Sequence, residues 1–213
     1  MTTLLFIRHG QSQANLDGVF AGNYDAELTK LGYEQAERTA QFIAENYNVD
    51  AVYASDLVRA FETGKCIAAP FSLPVIPEPG MREIYAGKWE GVTFEDIVKN
   101  FPEEFSKWQE DVGNSRCSGG ESTRELSERV LSAVTRIAEE NDGKTVAVAT
   151  HATPVRVLQC ILSGASFDDM KDIPWVSNAS VTEATYDNGE WKLIKIGEDS
   201  HMSDLKTTLP VNV

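Results

Sequence analysis

The sequence predicts an α/β fold, a three-layer sandwich with a mainly parallel central sheet, helices on both faces and a helical insertion over the C-terminal ends of the strands. Three observations carry this reading. Thr3 to Ile7, Asp50 to Ala54 and Thr145 to Thr150 are short, continuous apolar runs, as strands buried on both faces should be. The stretches between them repeat apolar residues at helical spacing. The resulting β-α-β-α order is that of helices packed on both sides of a parallel sheet.

The elements follow in chain order. Ala36, Ala40, Ile43 and Tyr47 are spaced four, three and four apart, and Leu57, Ala60, Phe61, Gly64, Ile67 and Ala68 trace a second stripe, so both stretches read as amphipathic helices. Val75 to Pro77 is strand-like. Ser122-Thr123-Arg124-Glu125 fits a capping box ahead of Leu126, Val130, Val134 and Ile137 on one helical face. A further helix is expected to open at Thr153-Pro154, with Thr as N-cap and Pro at the first helical position, where its missing N–H is no loss. Ser180 to Tyr186 and Trp191 to Ile196 flank Asp187-Asn188-Gly189-Glu190, a terminal hairpin turning at Asn188-Gly189.

Residues 80–120 are the least regular. Gly87, Gly91 and Gly113 separate Tyr85, Trp89, Phe94, Phe101, Phe105 and Trp108. This region is read as an insertion over the strand ends, serving either as a lid and specificity wall or as a helical subdomain packed only for stability. The whole of residues 1–213 is expected to form one domain, since a chain of this length buries roughly 70 % of its unfolded surface without metal or disulfide.

Composition narrows the partners. A net charge of −14 argues against nucleic acids and membrane surfaces, which are polyanionic. A small phosphorylated metabolite remains compatible, because a few cations in one cleft dominate the local field. Self-association into a homo-oligomer is left open. Cys66, Cys117 and Cys160 lack C-x-x-C spacing and are odd in number, so neither a disulfide framework nor a zinc site is expected, and a reducing cytoplasm fits best. The apolar run Leu4 to Ile7 is too short for a signal-peptide core, and no later stretch approaches membrane-spanning length.

The chemistry lies where the strands stop. The first delivers Arg8 and His9, the second leads through Ser55-Asp56 to Arg59, and the Thr145 strand ends at His151. Carboxyl ends of parallel strands form the ligand crevice, so these groups converge there beside the N-terminus of the last parallel-layer helix, whose free N–H groups favour an anion. Guanidinium forks on Arg8 and Arg59 match phosphate oxygens, and flanking positive charge keeps one imidazole neutral and nucleophilic. The second histidine, protonated, would stabilise charge on the transferring oxygens. Glu83, after the Val75 strand, is the carboxyl group chosen to protonate a leaving oxygen and then activate water. His201 is read as a surface or tail-packing residue.

Several motifs stand together: Arg8-His9-Gly10-Gln11-Ser12 with Asn15; Gly22, Asp25, Leu28-Thr29 and Gly32; Tyr53-Ala54-Ser55-Asp56-Leu57 with Arg59-Ala60 and Thr63. Glu83, Gly87, Trp89-Glu90-Gly91, Gly119-Gly120-Glu121-Ser122 and His151 with Arg156 complete the set. By these the chain resembles the histidine phosphatase superfamily, in its phosphoglycerate-mutase-like branch, over nearly its whole length. The resemblance implies that His9 is the phosphorylated nucleophile, His151 the second pocket histidine and Glu83 the proton donor. It places Asn15, Gly22 and Ala152 with Arg8, Arg59 and His151 around the phosphate, and implies no metal and no cofactor.

Dedicated mutases of that family typically carry a Glu-Arg-His-Tyr-Gly stretch, where this chain has Glu83-Ile84-Tyr85-Ala86-Gly87-Lys88-Trp89-Glu90-Gly91. The form looks like the phosphatase branch. The expectation is a metal-independent phosphatase acting on small phosphomonoesters through a phosphohistidine on His9. The alternatives are a phosphoglycerate mutase, which would need a bisphosphoglycerate primer, and a non-catalytic module that binds phosphorylated ligands. Two departures stand out: Ala152-Thr153 replaces a glycine pair common after the second histidine, and Ala26-Glu27 stands where Pro often precedes Leu-Thr.

Overall fold

A computed structural model describes residues 1–207. The strands are β1 (Thr2–Arg8), β2 (Val19–Phe20), β3 (Ala51–Ala54), β4 (Val75–Pro77), β5 (Val92–Thr93), β6 (Thr145–Thr150), β7 (Val181–Asp187) and β8 (Glu190–Glu198). The helices are α1 (Gln13–Leu16), α2 (Lys30–Asn46), α3 (Val58–Ala68), α4 (Phe94–Asn100), α5 (Pro102–Glu110), α6 (Thr123–Glu140) and α7 (Ala152–Leu162). Six strands form one sheet in the order β4-β3-β6-β1-β7-β8, while β2 and β5 make a separate antiparallel ribbon. β4, β3, β6 and β1 run parallel, and β7 and β8 add the antiparallel hairpin. Asn188 and Gly189 both take positive φ, 50° and 88°, which is what a tight hairpin turn of primed type requires.

The two-residue period of the strands sorts side chains into two cores. Leu5, Ile7, Val52 and Ala147 meet Ala40 and Ile43 of α2 and Ile67 and Ala68 of α3. Leu4, Phe6, Val146 and Val148 face the other way, onto Val130, Val134 and Ile137 of α6 and Val155 and Leu158 of α7. Helices therefore cover both faces. Ser122 caps α6 in the expected capping box with Glu125.

One helix starts earlier than its sequence signals suggest. α7 begins at Ala152, its N-cap is His151, and the amide of Val155 donates to the His151 carbonyl over 3.2 Å. Thr153 and Pro154 are thus the second and third helical residues. Pro is tolerated there because the first turn has no internal N–H partners to lose. The consequence is functional, since the histidine itself sits at the helix mouth.

In the insertion, Trp89, Phe105 and Trp108 are buried; Trp89 and Trp108 pack edge-to-face with Phe20 and with each other, and Phe105 packs edge-to-face with Trp89. His201 stacks on Phe42 at 4.4 Å and its Nε2 lies 3.0 Å from Thr39 Oγ1, consistent with a tail-packing role. No helix of the described residues is long and apolar enough to cross a membrane.

Candidate active site

Strand register assembles the site. Arg8 pairs with Thr150 across β1 and β6, and the His9 amide donates to the Thr150 carbonyl over 2.9 Å, so His9 and His151 emerge side by side. Their rings meet edge-to-face with centroids 5.1 Å apart. On the other side of β6 the Ser55 amide bonds the Ala149 carbonyl, which brings the Ser55 hydroxyl within 2.8 Å of His151 Nε2. Three adjacent parallel strands therefore deliver three site residues at one level.

The loop after His9 is held by close backbone contact. A Cβ on Gly10 would lie 2.2 Å from the Gly32 carbonyl oxygen, so only glycine fits against the start of α2. The Gly10 amide bonds Thr63 Oγ1 at 3.1 Å, and that hydroxyl donates to the Arg59 carbonyl, coupling the histidine loop to α3. His9 Nδ1 lies 2.6 Å from the Gly10 carbonyl. A carbonyl only accepts, so the ring proton belongs on Nδ1 and the lone pair on Nε2.

Both arginines are buried and are gripped by carbonyls. Arg8 Nη1 donates to Val176 O at 2.6 Å, and Arg59 donates to Tyr24 O and Gly22 O at 2.9 and 2.7 Å. The Nε groups of both arginines and Nδ1 of His151 are buried without a hydrogen-bond partner among the described residues. Unsatisfied buried donors are costly, more so when charged, and an oxyanion would satisfy them. Asn15 uses its oxygen to accept from Ser12 N and Asn178 Nδ2, which leaves its NH2 to offer a ligand.

Glu83 is buried, with its carboxyl accepting from the amides of Ile84 at 2.8 Å and Thr153 at 3.3 Å. The second contact ties it to the mouth of α7. It lines the same cleft as Arg8, His9, Asn15, Arg59 and Ala152. The cleft holds about 630 Å³ of space including its open mouth. Its apolar lining includes Val19, Phe20, Phe94, Trp108 and Trp175. The insertion thus supplies buried core and pocket wall at once. The Arg156 guanidinium stacks on Trp175 at 4.2 Å and donates to the carbonyls of Met170, Lys171 and Ile173, fixing that ring.

Burial dominates the electrostatics. It holds His9 well below the ordinary histidine value, with Arg59 and Arg8 pushing the same way against the Gly10 hydrogen bond. His151 is lowered for the same first reason, then by Arg59 and by neighbours including His9 and Arg129. Two buried guanidinium ions thus disfavour a further positive charge on His151. Arg8 itself is lowered to about 10, mainly by burial.

Sequence reasoning brought Arg8, His9, Asn15, Gly22, Arg59, Glu83, His151 and Ala152 to one place, and the structure does so too. It did not assign roles to Ser55, Trp175, Val176 or Asn178. Ser55 was visible at a strand end. The other three precede β7, and only the sheet topology reveals that an antiparallel strand starts at the edge where the parallel ones finish.

Residues 4–199 match the model of the histidine phosphatase superfamily, branch 1. Phosphoserine phosphatase 1 of Hydrogenobacter thermophilus is 32% identical over 164 residues, 77% of each chain. Phosphoglycerate mutase-like protein 4 of Arabidopsis thaliana is 30% identical over 206 residues, covering 94% of this chain and 87% of that one. Among solved structures, Bacillus stearothermophilus YhfR superposes with a TM-score of 0.90 at 28% identity, over 95% of this chain and all of its own. Two adjacent imidazoles, two buried guanidinium groups and a carboxyl group at one cleft are thus set in a chain that belongs to the histidine phosphatase superfamily.

Proposed function

We propose that this phosphatase of the histidine phosphatase family hydrolyses small phosphomonoesters through a phosphohistidine on His9. The observation that carries the reading is the tautomer of His9: Nδ1–H is spent on the Gly10 carbonyl, so Nε2 presents a lone pair between two guanidinium groups. In the first step His9 Nε2 forms an N–P bond as the bond from phosphorus to the ester oxygen breaks. The Glu83 carboxyl gives its proton to that departing oxygen. In the second step the Glu83 carboxylate takes a proton from water, whose oxygen attacks phosphorus and releases inorganic phosphate and neutral His9. Arg8, Arg59, Asn15, His151 and the backbone around Gly22 and Ala152 hold the phosphoryl oxygens, so charge is neutralised without a metal ion.

The lining of the cleft disfavours a mutase. The carboxylate of phosphoglycerate or the second phosphate of a bisphosphate primer needs cationic partners of its own, whereas the only cationic side chains lining the cleft among the described residues are Arg8 and Arg59, and Val19, Phe20, Phe94, Trp108 and Trp175 make much of the rest apolar. A purely binding module would have no use for a buried carboxyl group beside its anion pocket. The wall favours a partly apolar alcohol over a second polyanionic group. The three unpaired cysteines suit a cytoplasmic setting, and the net charge disfavours nucleic-acid and membrane partners.

The deciding assay measures release of inorganic phosphate from a panel that includes aryl phosphates and phosphoserine, against interconversion of 2- and 3-phosphoglycerate with primer present. Phosphate release is expected with negligible interconversion. Rapid interconversion would sink the phosphatase reading.

A further inference from the structure

The segment that carries Glu83 has no regular secondary structure of its own. It runs as extended or irregular backbone between the turn at Pro79–Met81 and the turn at Gly87–Trp89. Such a segment wanders unless its backbone is bound elsewhere. Here one arginine of α6 binds it. Arg129 Nη1 donates to Gly80 O at 2.8 Å and Arg82 O at 3.1 Å, and Nη2 donates to Glu83 O at 3.3 Å.

The same guanidinium forms a forked pair with Glu121, Nε to Oε1 at 3.1 Å and Nη2 to Oε2 at 2.9 Å. Glu121 then returns to the segment on its far side. Its carboxylate accepts from the Tyr85 amide at 3.2 Å and its own amide donates to the Tyr85 carbonyl at 2.7 Å. The approach depends on Gly120, where a Cβ would lie 2.2 Å from the Tyr85 carbonyl oxygen. This gives the Gly119-Gly120-Glu121 motif a physical purpose. A third tie comes from the sheet, where Thr150 Oγ1 donates to Met81 O at 2.7 Å. Neither Arg129 nor Glu121 lines the cleft.

We propose that the Arg129–Glu121 pair is a positioning device that holds the Glu83 carboxyl in register with the oxygen leaving the phosphoryl group. The proposal rests on the reading of Glu83 as the proton donor. The pair fixes four successive points of the segment, Gly80, Arg82, Glu83 and Tyr85, so the carboxyl has no freedom to retreat from the α7 mouth. Arg129 also adds positive charge on the side of His151, one of the causes that keep that imidazole neutral. A displacement of an ångström at a proton donor can cost ~100-fold in rate, and general acid catalysis as a whole contributes ~100- to 10,000-fold.

The test compares 4-nitrophenyl phosphate, whose leaving group needs no proton, with an alkyl phosphate such as glycerol 2-phosphate, whose leaving group does. In Arg129→Ala the kcat for the alkyl ester should fall about ten- to 100-fold further than that for the nitrophenyl ester, with inhibition by inorganic phosphate unchanged within about twofold. Added guanidinium chloride should restore part of the alkyl ester rate. Arg129→Lys keeps the charge but cannot bridge Glu121 and three carbonyls, so it should show the same selective loss. Should Arg129→Ala not fold, Arg129→Lys and Glu121→Gln carry the same comparison. In the double variant Glu83→Gln/Arg129→Ala, the Arg129 change should add less than about threefold to the loss from Glu83→Gln alone.

The two readings fail separately. If Glu83→Gln slows both esters equally, Glu83 is not the acid and the positioning role falls with it. If Glu83→Gln is selective for the alkyl ester while the Arg129 and Glu121 variants slow both equally, or weaken phosphate inhibition in step, the pair is merely structural and the proposal is overturned.

Discussion

The most direct physical consequence of the site is a stability that depends on two buried neutral histidines. His9 and His151 are both held well below the ordinary histidine value, first by burial and then by the adjacent guanidinium groups. In the unfolded chain each returns to ~6.5. The unfolded state therefore binds more protons below that pH, so this contribution is fully present above ~6.5 and is lost as the pH falls through it. Moving from pH 7.0 to 5.5 charges an unfolded histidine almost completely while charging of the folded ones is disfavoured, which costs at most about 1.2 kcal/mol for each and about 2.5 kcal/mol for the pair. The perturbation is His9→Gln/His151→Gln, which removes both titrations without adding charge. Urea unfolding of wild type and variant at the two pH values, in phosphate-free buffer, gives the four free energies. His201 is also lowered, mainly by burial, and is common to both proteins, as are all carboxylates. Wild type should lose more stability than the variant on acidification, by up to about 2.5 kcal/mol. Losses that agree within about 0.5 kcal/mol would refute the argument that the fold keeps both imidazoles uncharged.

Three further outcomes follow from the proposed chemistry. His9→Ala should abolish turnover and the acid-labile protein phosphate seen on rapid quench, and a trapped phosphoprotein in that variant would move the nucleophile elsewhere. Dialysis against EDTA should leave kcat unchanged, since arginines neutralise the phosphoryl charge; activity that disappears and returns with a divalent ion would contradict this. Arg59→Lys keeps a cation but cannot hold both Tyr24 O and Gly22 O while facing the anion, so kcat/KM should drop about 100- to 1,000-fold. A drop under fivefold would mean that charge alone suffices at that position.

Much of the fold was legible because its signals are local. Apolar runs of five or six residues mark β1, β3 and β6, and the register between them then carries Arg8, His9, Ser55 and His151 to one level without further instruction. The start of α7 was displaced because Thr153 and Pro154 are good capping residues by propensity, yet the Thr153 amide is claimed by Glu83, a contact 70 residues away in sequence. Tertiary hydrogen bonding overrode the local preference. The burial that lowers the His151 pKa was not legible, since depth of burial is not written in any short motif. The insertion resisted a choice between wall and core because Trp108 is both, packed against Phe20 and Trp89 while lining the cleft.

The way the arginines are held connects charge to function. Elsewhere on the surface Arg82, Arg116 and Arg136 are paired with Asp56, Glu125 and Glu78, so their charge is spent inside the protein. Arg8 and Arg59 are instead oriented by the carbonyls of Val176, Tyr24 and Gly22. Carbonyl dipoles fix a guanidinium in direction without cancelling its charge, and burial removes the water that would screen it. The field of these two ions therefore acts within the cleft, on Glu83 and on a ligand alike. In a chain with a net charge of −14, that local arrangement, rather than the overall field, must be what draws a phosphomonoester dianion into the cleft. It also bears on how the two histidines share one pocket: with two guanidinium ions already buried beside them, a positive charge on either imidazole is disfavoured.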